Sequence, residues 1–116
     1  CGRLFEGTAG QMWHSLQKLS TLPDDTILCS GHEYTETNSN FALTIDPKNQ
    51  DLITRHKNIK KLRSEGIPTV PSTMNEEKKT NPFLRPWCKE IRANLDMIEA
   101  TDEEVFTKIR ALKDAY

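Results

Sequence analysis

One histidine in this sequence follows directly after a predicted strand, a position suited to chemistry. The apolar residues Ile27, Leu28 and Cys29 predict a short buried strand, which stops at Gly31 just before His32. Loops at the carboxyl ends of strands hold the functional groups of open α/β sheets. Histidine is a common metal ligand and a proton carrier near neutral pH. His32 is therefore a candidate for metal ligation or acid–base chemistry, and a plain surface histidine is the alternative.

The residues beside His32 add possible contacts but no complete site. Tyr34 returns to the side of His32 if the chain is extended, and its hydroxyl could contact a ligand or simply pack. Glu33 would face the other way, as a salt-bridge partner or a helix-start acid. His14 is predicted at the surface, and His56 in the core or at an interface. A metal site needs at least three ligands, and no second candidate lies close to His32 in the sequence.

Basic residues near both ends of the chain suggest a place for an anionic ligand. Arg110 and Lys113 are three positions apart on a predicted helix, so they share a face. Two cations on one face suit a ligand that carries carboxylates. A solvated helix end is the alternative, since cations are favoured there in any case. Arg3, which follows Gly2, is similarly ambiguous.

Composition limits the class of protein. The 116 residues contain 16 Lys and Arg against 17 Asp and Glu, a net charge of -1 that argues against a general nucleic-acid partner. No apolar run approaches the length of a membrane span. The well-separated Cys1, Cys29 and Cys88 suggest free thiols in a reducing compartment, so we expect a cytoplasmic protein. A catalytic cysteine has little support. We expect the chain to start within a longer protein, with a processed N-terminus as the alternative.

The chain divides into two parts by pattern. Up to about residue 35 it predicts a βαβ-like piece, with a helix that Thr8 can cap. After that point it predicts helices, one of them over residues 49–65 with Gly66 at its C-terminal end. Residues 81–87 should be irregular but packed, and a short helix should cover residues 89–98. Thr101 begins a capping box for the last helix, whose apolar face carries Phe106.

Several motifs resemble those of the glyoxalase II family, the hydroxyacylglutathione hydrolases of the metallo-β-lactamase superfamily. The resemblance runs from the first residue to the last, and its order and spacing agree along the chain. The motifs that carry it are Gly31-His32-Glu33-Tyr34-Thr35, Cys1-Gly2-Arg3-Leu4-Phe5-Glu6-Gly7-Thr8, Leu22-Pro23-Asp24-Asp25-Thr26, Pro68-Thr69-Val70-Pro71-Ser72-Thr73 and Thr80-Asn81-Pro82-Phe83-Leu84-Arg85.

This resemblance implies a fold and an activity. The fold class would be α+β, mostly α: the end of a metallo-β-lactamase αββα domain over residues 1–35, with short strands and a helix, then a helical glutathione-thioester-binding domain over residues 36–116. The reaction would be hydrolysis of S-D-lactoylglutathione to D-lactate and glutathione, a step in methylglyoxal detoxification. A metal-bound hydroxide would attack the thioester. The partner would be a glutathione thioester, and we expect a monomer with no nucleic-acid or membrane partner.

The resemblance also implies roles for particular residues. His32 matches the last metal-ligand histidine of the family, and Tyr34 matches a tyrosine that contacts glutathione. Arg110 and Lys113 match a basic pair that grips the carboxylates of glutathione. Arg3 stands at a basic substrate-contacting position. A further substrate-binding position is occupied by Phe5, where some members have tyrosine, so a hydroxyl contact would be lost.

The other metal-ligand motifs of the family have no counterpart in these residues. The complete enzyme would hold two divalent metal ions, expected to be zinc, and this chain alone would hold none. We therefore expect no catalytic residue within the chain and no turnover by the chain alone. The alternatives are a non-catalytic helical interaction fragment, another hydrolase of the metallo-β-lactamase fold, or a persulfide dioxygenase.

Overall fold

The computed structural model describes residues 1–116 as a mostly helical α+β chain, as the sequence predicts. No helix in it has the length and apolar character needed to cross a membrane. The elements follow one another as α1 Ala9–Ser20, β1 Ile27–Leu28, α2 Thr35–Ile45, α3 Gln50–Ser64, β2 Ser72–Thr73, α4 Met74–Thr80, a 3₁₀ helix at Pro82–Leu84, α5 Lys89–Asn94 and α6 Asp102–Ala115.

The helix ends follow local capping rules, and the ends predicted at Thr8, Gly66 and Thr101 are confirmed. Thr8 and Thr101 each close a capping box, on α1 and α6, in which the threonine side chain and the third helical residue satisfy each other's backbone amides. Asn49 caps α3 by accepting a hydrogen bond from the amide of Leu52. Just beyond α3, Gly66 has a φ of 70°, the left-handed conformation that glycine adopts without strain.

The sheet differs from the prediction. Residues 1–7 form no strand, so there is no βαβ unit. Strand β1 instead pairs antiparallel with β2, with Ile27 opposite Thr73 and Leu28 opposite Ser72. The prediction that strand β1 is buried on both faces was also wrong, because the Ile27 side chain is 58% exposed. A small antiparallel pair can leave one face in solvent, and its second strand lies beyond α3, too far along the chain for local patterning to reveal.

An aromatic core joins the first helix to the last. The ring of Trp13 on α1 lies 5.5 Å from that of Phe106 on α6, and Phe83 lies 5.8 Å from Phe106. Phe83 in turn lies 6.2 Å from Phe41 on α2. All of these side chains are buried. Burial of such large apolar surfaces is the main stabilising contribution in a chain of this size.

The segment of residues 81–87, which contains the 3₁₀ helix, only partly matches the prediction. Phe83 is buried as expected, but Trp87 is 58% exposed and donates from its indole nitrogen to the carbonyl of Leu84 at 3.2 Å. Helix α5 ends at Asn94, short of the expected residue 98. Asp96 has a φ of 56°, and this left-handed residue turns the chain away so that Ile98 is exposed.

A buried ion pair fixes this segment to the end of α2. Asp46 lies immediately after α2 and accepts a charge-assisted hydrogen bond from Arg85. The side-chain amide nitrogen of Asn49, Nδ2, donates to the same carboxylate at 2.9 Å and also to the backbone carbonyl of Lys79 at 2.9 Å. Since the carboxylate is buried with its partners in place, the turn between α2 and α3 is held against α4 and the 3₁₀ helix.

Candidate functional site

The loop after β1 presents two aromatic rings to solvent. The rings of His32 and Tyr34 stack with centroids 5.0 Å apart and an interplanar angle of 6°. The expectation that both face the same side is therefore confirmed. The hydroxyl of Ser30 donates to the carbonyl of His32 at 3.2 Å, and Tyr34 stands at the N-terminal boundary of α2. Tyr34 remains 58% exposed. The pair is thus an accessible surface on which a ligand could lie.

Glu33, which lies between these two residues in the sequence, is held by Thr69. The backbone nitrogen of Thr69 donates to both carboxylate oxygens, at 3.2 and 3.1 Å, and its hydroxyl donates to one of them. The Thr69 hydroxyl, helped by its backbone amide, keeps the pKa of Glu33 below its ordinary value. Neither a salt bridge nor a helix-start role describes this acid. Its partner is a distant threonine.

Helix α6 carries the second group of candidate residues. Arg110 is only 3% exposed, and its guanidinium donates to the carbonyls of Gly2 at 2.9 Å and Cys1 at 3.2 Å. It also donates to Asp114 at 2.8 Å and lies 5.0 Å from the centre of the Phe83 ring. Nε of Arg110 has no hydrogen-bond partner. Most of this guanidinium is therefore engaged with the chain itself.

Lys113 is less enclosed than Arg110. Its ammonium lies 5.5 Å from the ring centre of Phe41 and 5.1 Å from that of Tyr116. Partial burial and the nearby positive charges of Arg110 and Arg3 lower the pKa of Lys113. The structure thus brings Arg3, Arg110 and Lys113 together. An anion placed among them would relieve their mutual repulsion.

Of the other residues singled out in the sequence, three are exposed and His56 is partly buried. Arg3 is exposed, and the Phe5 side chain is 90% exposed. His14 is exposed, as predicted. The partly buried ring of His56 lies 3.0 Å from the hydroxyl of Ser39, which fits the predicted core or interface position.

A cleft of about 410 Å³ opens between the His32 loop and the helices. His32 and Tyr34 form part of its wall, together with Val70 of the segment before β2. Cys1 and Gly2, whose carbonyls Arg110 holds, also line it. The cleft therefore borders both groups of candidate residues, although the cations of α6 do not line it.

A polar network inside the cleft was missed at the sequence level. The carboxylate of Glu77 accepts hydrogen bonds from Arg55 at 2.6 Å, Ser72 at 2.8 Å and Asn81 at 2.9 Å. Burial alone would raise the pKa of Glu77, but the charge and hydrogen bond of Arg55 hold it below its ordinary value. The four residues come from α3, β2, α4 and the residue after α4. No local spacing signals such a contact.

The metal-ligating side chains of the chain are scattered over the structure. No group of three or more His, Cys, Asp or Glu side chains is close enough together to hold a metal ion. His32 stacks on Tyr34 and belongs to no such group. The three cysteines are free thiols, as predicted. These residues therefore do not form a metal centre by themselves.

The fold and the two groups of candidate residues define a mostly helical domain with an accessible cleft. The family model for the hydroxyacylglutathione hydrolase C-terminus matches residues 33–116. The chain is 60% identical over 116 residues to a hydroxyacylglutathione hydrolase of Roseobacter denitrificans, covering 100% of this chain and 46% of that protein. It belongs to the hydroxyacylglutathione hydrolase C-terminus family.

Two further relatives show the same coverage. Hydroxyacylglutathione hydrolases of Ruegeria pomeroyi and Jannaschia sp. are 56% and 57% identical to the chain. Each alignment covers 100% of this chain, but only 46% and 45% of the respective relative. The chain thus spans about half the length of the curated relatives it matches.

Proposed function

We propose that this chain is the C-terminal part of a hydroxyacylglutathione hydrolase that converts S-D-lactoylglutathione to D-lactate and glutathione. The observation that carries the proposal is the 60% identity along all 116 residues to a relative of that name. The division into a remnant of a metallo-β-lactamase-like domain, residues 1–35, and a helical binding domain, residues 36–116, belongs to the same proposal. So do a cytoplasmic location, a monomeric state and a place in methylglyoxal detoxification.

In this proposal the basic group at α6 binds the carboxylates of glutathione. Lys113 and Arg3 supply the accessible charges, and the buried Arg110 adds to the positive potential around them. The lowered pKa of Lys113, caused first by burial and then by its cationic neighbours, supports an anion as the missing partner. Phe5 offers an exposed aromatic surface beside Arg3 but no hydroxyl.

The stacked pair supplies the other contacts in the proposal. Tyr34 would contact the glutathione part, and His32 would contribute one ligand to a pair of divalent metal ions, proposed to be zinc. If such ions were bound, they would supply a nucleophile at neutral pH and polarise a carbonyl. Their remaining ligands would come from the part of the enzyme outside these residues. The chain by itself should show no turnover and bind no catalytic metal, and thioester hydrolysis by the isolated chain with stoichiometric zinc would contradict this.

The substrate-binding role can be tested in the full-length hydrolase of which the chain is proposed to be part. Lys113→Ala should raise KM for the glutathione thioester about tenfold with kcat little changed, because a charge-assisted contact to the ground state is lost. Arg3→Ala should act in the same direction. Lys108→Ala, an exposed lysine on the same helix, is the matched control. An unchanged KM in Lys113→Ala would remove this residue from the binding role.

A further inference from the structure

The segment of residues 68–73 lies alongside the His32 loop without forming part of either candidate group. Its far end is strand β2, which pairs with β1 immediately before the loop. Backbone hydrogen bonds continue this pairing, from Met74 to the carbonyl of Thr26 at 2.9 Å and from Asn75 to that of Asp24 at 2.9 Å. Its near end contains Thr69, whose amide and hydroxyl both donate to Glu33. The loop is thus attached to this segment on both sides.

The attachment at Glu33 controls which way the neighbouring side chains face. His32 lies in a bend and Tyr34, with φ of -103° and ψ of 3°, stands at the N-terminal boundary of α2, so strand alternation does not set the directions of these side chains. Glu33 lies between His32 and Tyr34, and its carboxylate is turned to the 68–73 segment. The two flanking rings stack with centroids 5.0 Å apart, and both residues form part of the cleft wall, so the backbone that the Glu33 contact fixes is the backbone that carries them. Releasing Glu33 would let the peptide rotate and would remove this shared orientation.

The contact has the form of a specific tether. Both oxygens of Glu33 are used, and one residue, Thr69, supplies both of its donors from backbone and side chain. A surface acid that only solubilises the chain would not be matched by two donors of one residue on a distant segment. Val70, next to Thr69, lines the cleft with His32 and Tyr34. The tether and the cleft wall are therefore built from the same two pieces of chain.

We propose that Glu33 and Thr69 are positioning residues that orient His32 and Tyr34 for the reaction. This inference rests on the proposed function, because it assigns the pair a role only through those two side chains. Partners that orient a ligand residue are worth about 10- to 100-fold in metal affinity or activity in other proteins. Glu33 and Thr69 do not line the cleft, so in this proposal they act by fixing the geometry of the residues that do.

The contact itself is tested by amide hydrogen exchange in the 116-residue chain. Glu33→Ala should speed exchange at the Thr69 amide about tenfold, because that amide loses its acceptor. Glu36→Ala removes a neighbouring acid in the first turn of α2 and should leave Thr69 unchanged. Exchange at Thr69 that is the same in Glu33→Ala and the wild type would overturn the tether.

The role is tested in the full-length hydrolase, below the temperature at which any variant unfolds. Glu33→Ala should weaken zinc affinity about tenfold and lower kcat. Thr69→Val, which keeps the amide donor but loses the hydroxyl, should show a smaller loss. Thr69→Ser, which restores the hydroxyl, should recover wild-type zinc affinity. Thr54→Val, at an exposed position on α3, is the matched control for the threonine change.

The outcomes separate the inference from the proposed function. A role limited to stability would lower the unfolding temperature of Glu33→Ala and leave zinc affinity unchanged, which would overturn the inference. His32→Ala is measured beside it. If His32→Ala weakens zinc affinity and Glu33→Ala does not, the proposed function stands and the positioning role fails. If His32→Ala has no effect, both fail. Rescue by Thr69→Ser but not by Thr69→Val supports the role.

Discussion

The interior of this chain and the edge that carries the candidate site use the same residue types in opposite ways. Phe106 on α6 is 0% exposed, whereas Phe5 near the start of the chain is 90% exposed. Arg110 is buried against backbone carbonyls, whereas Arg3 is open to solvent. In the interior, aromatic rings pack on one another and the Arg110 guanidinium is mostly bonded within the chain, with only its Nε left without a partner. At the edge, large and charged side chains have few partners within the chain, as expected of a surface that binds something else.

The two phenylalanines give the sharpest test of this difference. Phe106→Ala should lower the free energy of unfolding by about 4 kcal/mol, because it removes a ring from the aromatic core and leaves a cavity. Phe5→Ala should change it by about 0.5 kcal/mol or less, since the ring contributes little to packing. Urea unfolding of both variants measures the two values. Equal losses would mean that Phe5 packs in solution and that the edge is not open.

A smaller effect is expected at the buried ion pair. Asp46→Ala should destabilise the chain by about 3 kcal/mol, because Arg85 is left buried without its partner. The control is Asp24→Ala, which breaks the exposed contact with Lys78 at 2.7 Å and should cost about 1 kcal/mol or less. Thermal or urea unfolding compares them. A loss at Asp46 no larger than that at Asp24 would show that burial does not strengthen this pair.

The smallest effect concerns pH and the network around Glu77. The folded pKa of Glu77 lies below its ordinary value of 4.5, so its contribution to stability is complete above that pH. The contribution is lost as the pH falls through 4.5 towards the folded pKa, when the carboxylate gains a proton and its ion pair with Arg55 is lost. The stability difference between wild type and Glu77→Gln should therefore shrink on acidification from pH 7.

Unfolding measurements at several pH values test this dependence. Glu65→Gln removes one negative charge from an exposed position after α3 and serves as the control for net charge. A stability difference between wild type and Glu77→Gln that stays constant from pH 7 to below 4.5 would contradict the expected linkage.

Local features of the fold were predictable because each depends on a few consecutive residues. Thr8, Asn49 and Thr101 cap helices by bonding to amides within the next turn, and Gly66 ends α3 by adopting a positive φ. The helices followed from these ends and from apolar spacing. The same local reasoning placed Tyr34 beside the ring it stacks on.

Contacts between distant parts of the chain were not predictable. The pairing of β1 with β2, the hydrogen bonds from Thr69 to Glu33, and those from Arg110 to Gly2 join residues far apart in sequence. No periodicity records which distant residue will be near. The packing predicted for Trp87 was wrong for a related reason, since apolar character alone does not say whether a side chain finds a neighbour.

The position of Trp13 has a consequence for where this chain can be cut or fused to another protein. The family model begins at residue 33, yet Trp13 packs on Phe106 of the last helix. A chain started at residue 33 would lose that ring and open Phe106 to water. The boundary of the family model at residue 33 therefore does not coincide with a boundary in the packing of this chain. A recombinant protein that includes the helices after residue 33 should therefore also include helix α1.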